Sequence, residues 1–194
     1  MRFFIEKLSS RVTSYIYFGM KPNNIISKYV WGIRFDWYSG CDGNIISGNH
    51  ISNSTNGIEI TGCNDNKILN NTIENNRVEG IDLTDAQYTT VSGNIICYNG
   101  EGYEFECGII LVGLLSEDCC YNTVSGNIIS NNNPTGIYVN YAFGNVIKEN
   151  TCRDVQVPYN ETEYYTETEP YTDNICDNIN MVYKEELSVN KKDC

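Results

Sequence analysis

Three charged residues have matching positions in the sequence. Arg34, Glu59 and Asp82 each come directly after a Gly-Ile pair. Two carboxyls brought close together repel each other, which raises one pKa, so one group holds a proton while the other is ionised. Such a pair can act as general acid and base, and retaining glycoside hydrolysis requires carboxyls about 5 to 5.5 Å apart. The pattern therefore predicts Glu59 and Asp82 as a catalytic pair with Arg34 as charge stabiliser, provided that the fold places them side by side.

These residues belong to a sequence repeat. Its frame begins at residues 44, 66, 89, 122 and 145, at separations of 22, 23, 33 and 23 residues. The third and eighth positions are apolar in every copy except for Cys152. The sixth position is always asparagine, at Asn49, Asn71, Asn94, Asn127 and Asn150. The chain holds 27 asparagines, roughly three times ordinary usage, and the repeat accounts for much of this excess.

Each repeat also contains the pattern Gly-Ile-x-apolar, at residues 32–35, 57–60, 80–83, 108–111 and 136–139. Three short β-branched runs per repeat do not fit hairpins, because the turn residues recur column by column. They fit a solenoid in which each repeat makes one coil and parallel strands lie about 4.8 Å apart. Isoleucines then stack in the interior and asparagines form a hydrogen-bonded ladder at a corner. Gly48, Gly93 and Gly126 are predicted to take the left-handed backbone that a corner needs.

The recurring Asn-x-Ile-x-Gly-Asn-x-Ile-x-Asn followed by Gly-Ile resembles the repeats of NosD-like proteins and of the carbohydrate-binding and sugar-hydrolysis domain family. The resemblance covers about residues 32 to 154. It implies an all-β fold, a right-handed single-stranded parallel β-helix of about five coils. It also implies an extracellular or cell-surface location and, through NosD, a role in copper maturation. It is specific for the fold and not for the chemistry, since this fold hosts many functions.

The two ends of the chain do not keep the repeat. Residues 1–31 are predicted to form an N-terminal cap or a degenerate coil, with a short helical cap indicated by Phe4, Leu8, Val12 and Tyr15 at helical spacing. Residues 32–154 are predicted to form the β-helix. Residues 155–194 are rich in Tyr, Thr and Glu, which is typical of an acidic tail or a C-terminal cap.

The residue between the two apolar ones of the Gly-Ile-x-apolar strand is expected to point outward. This column reads Arg34, Glu59, Asp82, Ile110 and Tyr138, and the next outward column reads Asp36, Thr61, Thr84, Val112 and Asn140. Insertions between residues 98 and 107 and after residue 108, with a smaller bulge at 37–39, lie along the same edge, and solenoid insertions gather on the binding face. The predicted saccharide-binding residues are Arg34, Asp36, Trp37, Thr84, Tyr138, Asn140 and Tyr103. The alternative is an ordinary exposed strand surface of an acidic protein.

Charge and composition argue against several classes of binding partner. The formal net charge is −12 and the pI is near 4.4, which argues against nucleic acid and anionic membranes. The sequence contains no run of about 18 apolar residues, so membrane insertion is not predicted. The first residues lack the apolar core of a secretory signal, which predicts either a protein that stays inside the cell or part of a longer chain. No cofactor is predicted, although the oxygen-rich turns at 42–44 and 64–66 are compatible with calcium.

The nine cysteines leave several readings open. Cys41 and Cys63 share one repeat position, so adjacent coils would place them within disulfide range. The other cysteines near the insertions, Cys97, Cys107, Cys119 and Cys120, allow a local bridge or a soft-metal site. Without a CxxC pair a zinc site is not predicted. With three Met and one His, the chain is poor in copper ligands.

Three functions follow from these observations. The first is a β-helix module, within a longer chain, that binds polysaccharide or serves as a surface or assembly element. The second is a polysaccharide-active enzyme, namely a glycosidase, lyase or epimerase, that uses Glu59 and Asp82. The third is the copper-maturation role that the NosD resemblance implies.

Overall fold

The computed structural model describes residues 23–36, 41–101, 106–114, 119–162, 175–177 and 180–182. Short β-strands follow one another along the chain. They are β1 Ile25–Ser27, β2 Trp31–Phe35, β3 Ile45–Ser47, β4 His50–Ser52, β5 Asn56–Thr61, β6 Lys67–Leu69, β7 Thr72–Glu74, β8 Ile81–Thr84, β9 Thr90–Ser92, β10 Ile95–Cys97, β11 Cys107–Val112, β12 Cys119–Cys120, β13 Thr123–Ser125, β14 Ile128–Ser130, β15 Thr135–Asn140, β16 Ala142–Phe143, β17 Val146–Lys148, β18 Thr151–Arg153, β19 Val157–Thr162, β20 Ile175–Asp177 and β21 Asn180–Val182.

The strands stack into three long parallel sheets. Sheet 1 has the order β3-β6-β9-β13-β17-β20, sheet 2 the order β1-β4-β7-β10-β14-β18-β21, and sheet 3 the order β2-β5-β8-β11-β15-β19. A fourth, two-stranded sheet pairs β12 with β16. Each coil contributes one strand to each long sheet, and the described residues contain five complete coils, starting at β3, β6, β9, β13 and β17. The predicted all-β parallel β-helix is thereby confirmed.

The interior consists of stacked apolar columns. Ile46, Ile68, Val91, Val124 and Ile147 line it from sheet 1, and all are at most 1% exposed. Sheet 2 contributes Ile51, Ile73, Ile96, Ile129 and Cys152. Sheet 3 contributes the Ile and the apolar partner of each Gly-Ile-x-apolar pattern, from Ile33 and Phe35 to Ile137 and Val139. Since the two apolar residues of each sheet 3 strand point inward, the residue between them faces out.

Side-chain amides join the coils at the corners. Asn71 Oδ1 accepts hydrogen bonds from Asn49 N and Asn49 Nδ2, at 2.9 and 3.2 Å. Asn71 Nδ2 donates to Ile46 O, and the Asn71 backbone N donates to Asn94 Oδ1. The same arrangement continues through Asn127 to Asn150. This is the ladder that the sixth repeat position predicts.

Two further ladders were not predicted. One runs through the first repeat position, where Asn44 N donates to Asn66 Oδ1 and Asn122 N donates to Asn145 Oδ1. The other joins Ser54 to Asn76, Asn99 and Asn132 at the corner between sheets 2 and 3. Side-chain amides therefore join neighbouring coils at three corners, except where Thr89 interrupts the first-position ladder.

The left-handed backbone lies beside the central ladder and not within it. Gly48, Gly93 and Gly126 have φ between 63° and 67°, as predicted. The ladder asparagines that follow them are not among the positive-φ residues. Asn70 takes φ of 54° at the position that these glycines occupy in other coils.

The stack extends beyond the predicted range of 32–154. Strand β1 pairs with β4 before that range begins, and β19 pairs with β15 after it ends. These outer strands lack the full repeat pattern, and backbone pairing with the neighbouring coil is enough to place them. The predicted helical cap, with Phe4, Leu8, Val12 and Tyr15, lies outside the described residues. The described part of the chain has no helical segment with the length and apolarity of a membrane span.

Cys41 and Cys63 form a disulfide between adjacent coils, with their Cα atoms 5.5 Å apart. The shared repeat position predicted this proximity. The other cysteines with described side chains are buried, and no disulfide joins any two of them: Cys97, Cys107, Cys119, Cys120 and Cys152. The local bridge considered for the insertion cysteines is therefore not formed.

One position interrupts a ladder and yields a stability prediction. Thr89 stands where the other coils have Asn. The backbone N–H of the first-position residue donates to the Asn Oδ1 of the next coil elsewhere in this ladder, so Asn66 N faces a position without a side-chain amide. We expect Thr89→Asn to raise the free energy of unfolding by about 1 kcal/mol, because it supplies the missing acceptor. Urea unfolding measures the change. Thr89→Ala is the control without an acceptor, and a Thr89→Asn protein no more stable than Thr89→Ala would contradict the ladder account.

Candidate functional site

The outward side of sheet 3 carries three columns of side chains, which we call the outer face of sheet 3. Strand register places Arg34 beside Glu59 and Glu59 beside Asp82, followed by Ile110 and Tyr138. A second column contains Thr61, Thr84, Val112 and Asn140. A third lies at the start of the strands and contains Trp31, Asn56, Cys107 and Thr135. Adjacent strands lie about 4.8 Å apart, so neighbours in a column are close enough to interact.

Arg34 is held by the residues around it. Its Nε lies 3.1 Å from Glu59 Oε1 and 3.9 Å from Asp36 Oδ2. Its guanidinium carbon lies 4.2 Å from the centre of the Trp31 ring, a cation–π contact. The predicted neighbours Arg34, Asp36 and Glu59 are thus brought together, and Trp31 forms the base under the cation.

Glu59 combines burial with compensating contacts. Burial raises the pKa of its carboxyl, and the positive charge of Arg34 opposes that rise. Trp31 and Asn56 donate hydrogen bonds to it, the latter at 3.2 Å. These contacts favour the ionised form, so Glu59 is the member of the pair that more readily carries negative charge.

Asp82 lies in a less compensated environment. Burial raises its pKa to about 7, the Thr84 hydroxyl that donates to Asp82 Oδ1 at 2.7 Å opposes the rise, and the charge of Glu59 adds to it. Glu79, which precedes the Gly-Ile pair of the same coil, has its pKa raised to about 7 by burial and then by Asp82. Both carboxyls therefore gain and lose a proton near neutral pH, which is the pH range that suits a general acid.

The far end of the outer face is apolar and covered. Cys107, Ile110 and Tyr138 form a small buried cluster with Val112 at its edge. The sequence predicts Tyr138 as a ring available to a sugar, but it is only 5% exposed. This correction has a simple cause, since the outward column turns apolar at Ile110 and the ring packs there.

The remaining predicted residues are distributed as follows. Thr84 contacts Asp82, as described. Asn140 lies in the column beyond Val112, and its Oδ1 is buried without a hydrogen-bond partner in the described structure. Trp37 and Tyr103 lie outside the described residues.

Sequence reasoning missed Trp31 and Glu79. Both precede the glycine of a Gly-Ile pair, a position to which the repeat pattern assigns no function. In the structure, glycine lies so close to the next coil that a Cβ at Gly80 would be 2.6 Å from Gly108 O. That Cβ would also lie 2.7 Å from Ile96 Cγ2 in the core, so the glycine faces inward like the isoleucine after it, and the residue before the glycine lies on the outer face. The signal was the repeated glycine itself.

Potential metal ligands are dispersed. No group of three or more His, Cys, Asp or Glu side chains with metal-binding geometry occurs among the described residues. His50 Nε2 lies 2.8 Å from Glu74 Oε1 on the outside of sheet 2. The turn at 42–44 uses Asp42 Oδ1 to accept a hydrogen bond from Asn64 N at 2.7 Å.

Sequence comparison identifies a matching family. Residues 6–191 match the family described as periplasmic copper-binding protein (NosD). No curated protein sequence matches the chain.

Structural comparison identifies the periplasmic alginate epimerase AlgG as a similar solved structure. The TM-score is 0.57 and the sequence identity is 17%. The match covers 79% of this chain but only 42% of AlgG. At this identity the likeness concerns the fold.

The raised pKa values predict a pH-dependent stability. Glu79 and Asp82 rise from the usual 4.5 and 3.8 to about 7, so the folded state binds more protons than the unfolded state between about pH 4 and 7. The contribution of these two groups to the free energy of unfolding is fully present below about pH 4 and is lost as the pH rises through 7. We therefore expect Asp82→Asn to be more stable than the wild type at pH 8 by at least about 1 kcal/mol, with the gain shrinking toward pH 4.

Thermal or urea unfolding across this pH range measures the gain. Asp65→Asn, at an exposed corner, is the matched control and should show no such pH-dependent gain. A gain for Asp82→Asn that stays constant from pH 4 to 8 would contradict the burial of an ionisable carboxyl.

Proposed function

The chain belongs to the NosD family, and from that premise we propose that it is a β-helix module that binds polysaccharide across the outer face of sheet 3. The observation that carries the proposal is the in-register row of Arg34, Glu59 and Asp82. A row of polar groups at a constant spacing on a rigid sheet matches a polymer of repeating hydroxyl-rich units. The likeness to an alginate epimerase bears on the fold, so the proposal depends on the face itself.

The face offers the contacts that sugars use. The carboxylates of Glu59 and Asp82 accept hydrogen bonds from hydroxyls, and Arg34 donates them. Trp31 contributes an aromatic surface beside these groups. The side chains of Arg34 and Glu59 keep 25% and 13% of their surface exposed, so the row is accessible and yet held in place. Such pre-organisation lowers the entropy cost of binding.

The copper role that the family description implies does not fit the described residues. Copper ligands must be deprotonated and must converge. The buried thiols have raised pKa values, about 11 for Cys97, and desolvation is the main cause in each case. His50 already pairs with Glu74, and no ligand group converges in the described part of the chain.

The binding proposal is tested with a panel of neutral and acidic polysaccharide oligomers and isothermal titration calorimetry. We expect the double variant Glu59→Gln, Asp82→Asn to bind the preferred oligomer at least tenfold more weakly, since it loses charge-assisted hydrogen bonds. The matched control is Asp65→Asn, Lys67→Gln, which changes two charges away from sheet 3. Equal binding by the wild type and the sheet 3 variant, or no binding to any polysaccharide, would overturn the proposal.

A second candidate function is glycoside hydrolysis, which the different environments of the two carboxyls favour. Asp82, with a pKa near 7, would give its proton to the glycosidic oxygen as the C–O bond breaks. Glu59, paired with Arg34, would attack the anomeric carbon as a carboxylate. Water would then hydrolyse the glycosyl ester, returning its proton to Asp82. The adjacent-strand spacing of about 4.8 Å suits this retaining geometry.

Reducing-end release from the bound polymer tests hydrolysis. We expect release by the wild type and a loss of at least a hundredfold in Asp82→Asn and in Glu59→Gln. Binding without release by the wild type would eliminate hydrolysis and leave the binding function.

A further inference from the structure

A groove runs along the corner between sheets 2 and 3, next to the outer face of sheet 3. Its volume is about 740 Å³, and it spans four successive coils. Its lining includes Lys28, Asn53, Asn75, Arg77, Tyr98 and Glu101. In the first three of these coils the chain leaves the groove and enters sheet 3 within one to four residues, so groove and face adjoin there.

One line of exposed side chains forms the edge of the groove. Lys28, Asn53, Asn75 and Tyr98 occupy the same corner position in successive coils and have φ of 69°, 54°, 55° and 56°. Asparagine tolerates this left-handed backbone, but Lys and Tyr do so at a cost. Further along the stack the same position holds Asn131. Within this column, Lys28 and Tyr98 replace asparagine in the coils along which the groove runs.

The backbone behind this line is fixed. The Asn76 and Asn99 side chains form the corner ladder, with Asn76 Nδ2 donating to Asn99 Oδ1 at 2.9 Å. Arg77 N donates to Ser54 O at 2.9 Å. The groove therefore keeps its shape without a ligand, and its side chains project from known positions along the axis.

The groove is cationic in an acidic chain. Lys28 and Arg77 are exposed, and neither forms an ion pair with a described residue. Two coils separate them, about 9.6 Å along the stack. Glu101 also lines the groove, and its backbone N is bound to the Glu106 carboxylate. Two cations against one anion make this corner suited to an anionic partner, although the chain carries a net charge of −12.

We propose that this groove binds a negatively charged sugar residue, carboxylated or sulfated, of the polysaccharide that lies on the outer face of sheet 3. Lys28 and Arg77 contact the anionic groups, Arg77 with the planar fork that suits carboxylate or sulfate oxygens. The Tyr98 ring, 57% exposed, packs on a sugar face, and the amides of Asn53 and Asn75 bind hydroxyls. The inference deepens the proposed polysaccharide function and rests on it.

Calorimetry with paired oligomers tests the proposal. One pair is oligogalacturonate and its carboxyl-reduced counterpart, and the other is sulfated dextran oligomers and plain dextran oligomers. We expect the wild type to bind the charged member of at least one pair about tenfold more tightly, with the difference shrinking at high salt. The pair that shows the difference identifies carboxylate or sulfate. The double variant Lys28→Gln, Arg77→Gln should lose the preference, whereas Lys67→Gln, Lys148→Gln, on exposed sheet 1 positions, should keep it.

Tyr98→Asn supplies a second, independent readout. Asparagine suits the left-handed backbone of this column, so the variant should unfold at a higher temperature than the wild type. It should nevertheless bind both members of the preferred pair more weakly, because the ring is gone. A structural role alone would not change stability and binding in opposite directions. Unchanged binding would contradict the role of Tyr98.

The outcomes separate this site from the face. A charge preference that persists in Lys28→Gln, Arg77→Gln, or no preference at all while Glu59→Gln, Asp82→Asn still weakens binding, overturns the groove alone. A preference that depends on Lys28 and Arg77 while the sheet 3 variant binds normally supports the groove and overturns the face. No binding of any oligomer overturns both.

Discussion

The side-chain amide that accepts the N–H of the preceding coil is the interaction on which this molecule depends. Asn71 Oδ1 accepts hydrogen bonds from the backbone N and the side-chain Nδ2 of Asn49, and Asn71 N donates in the same way to Asn94 Oδ1. Because side chains alternate between the two sides of a strand, a slip of one residue would turn the core outward and the polar residues inward. The ladders oppose this slip at the corners of the coils, with one interruption at Thr89. They therefore determine that Glu59 and Asp82 face the same way on neighbouring strands.

The chemistry of the outer face follows from that register. Stacking brings several carboxyls into a partly desolvated row with a single arginine at one end. Arg34 offsets the charge of Glu59, and the two carboxyls beyond it, Asp82 and Glu79, hold protons up to about pH 7. The corner next to this row has the opposite character, with Lys28 and Arg77 exposed. A polymer that crosses from the corner to the face would meet cations first and acids second.

The regular part of the molecule could be predicted from the sequence, because residues at the same repeat position contact one another in successive coils of a solenoid. The central ladder, the core columns, the neighbouring positions of Glu59 and Asp82 and the proximity of Cys41 to Cys63 all follow from the repeat. Burial that depends on neighbours could not be read in this way. Tyr138 keeps its predicted column and is nevertheless covered, since Ile110 and Cys107 make that end apolar. Trp31 and Glu79 were missed because the glycine after each of them and the isoleucine that follows both face inward, which breaks the alternation of the strand.

The most direct test of the central claim, that polysaccharide binds across the outer face of sheet 3, is a crystal structure of the chain with its preferred oligomer. The account predicts sugar density along the row from Arg34 to Asp82, with hydroxyl oxygens within hydrogen-bond distance of both carboxyls. Density confined to sheet 1, to sheet 2 or to the stacked Tyr88 and Tyr121 rings at the opposite corner would contradict it.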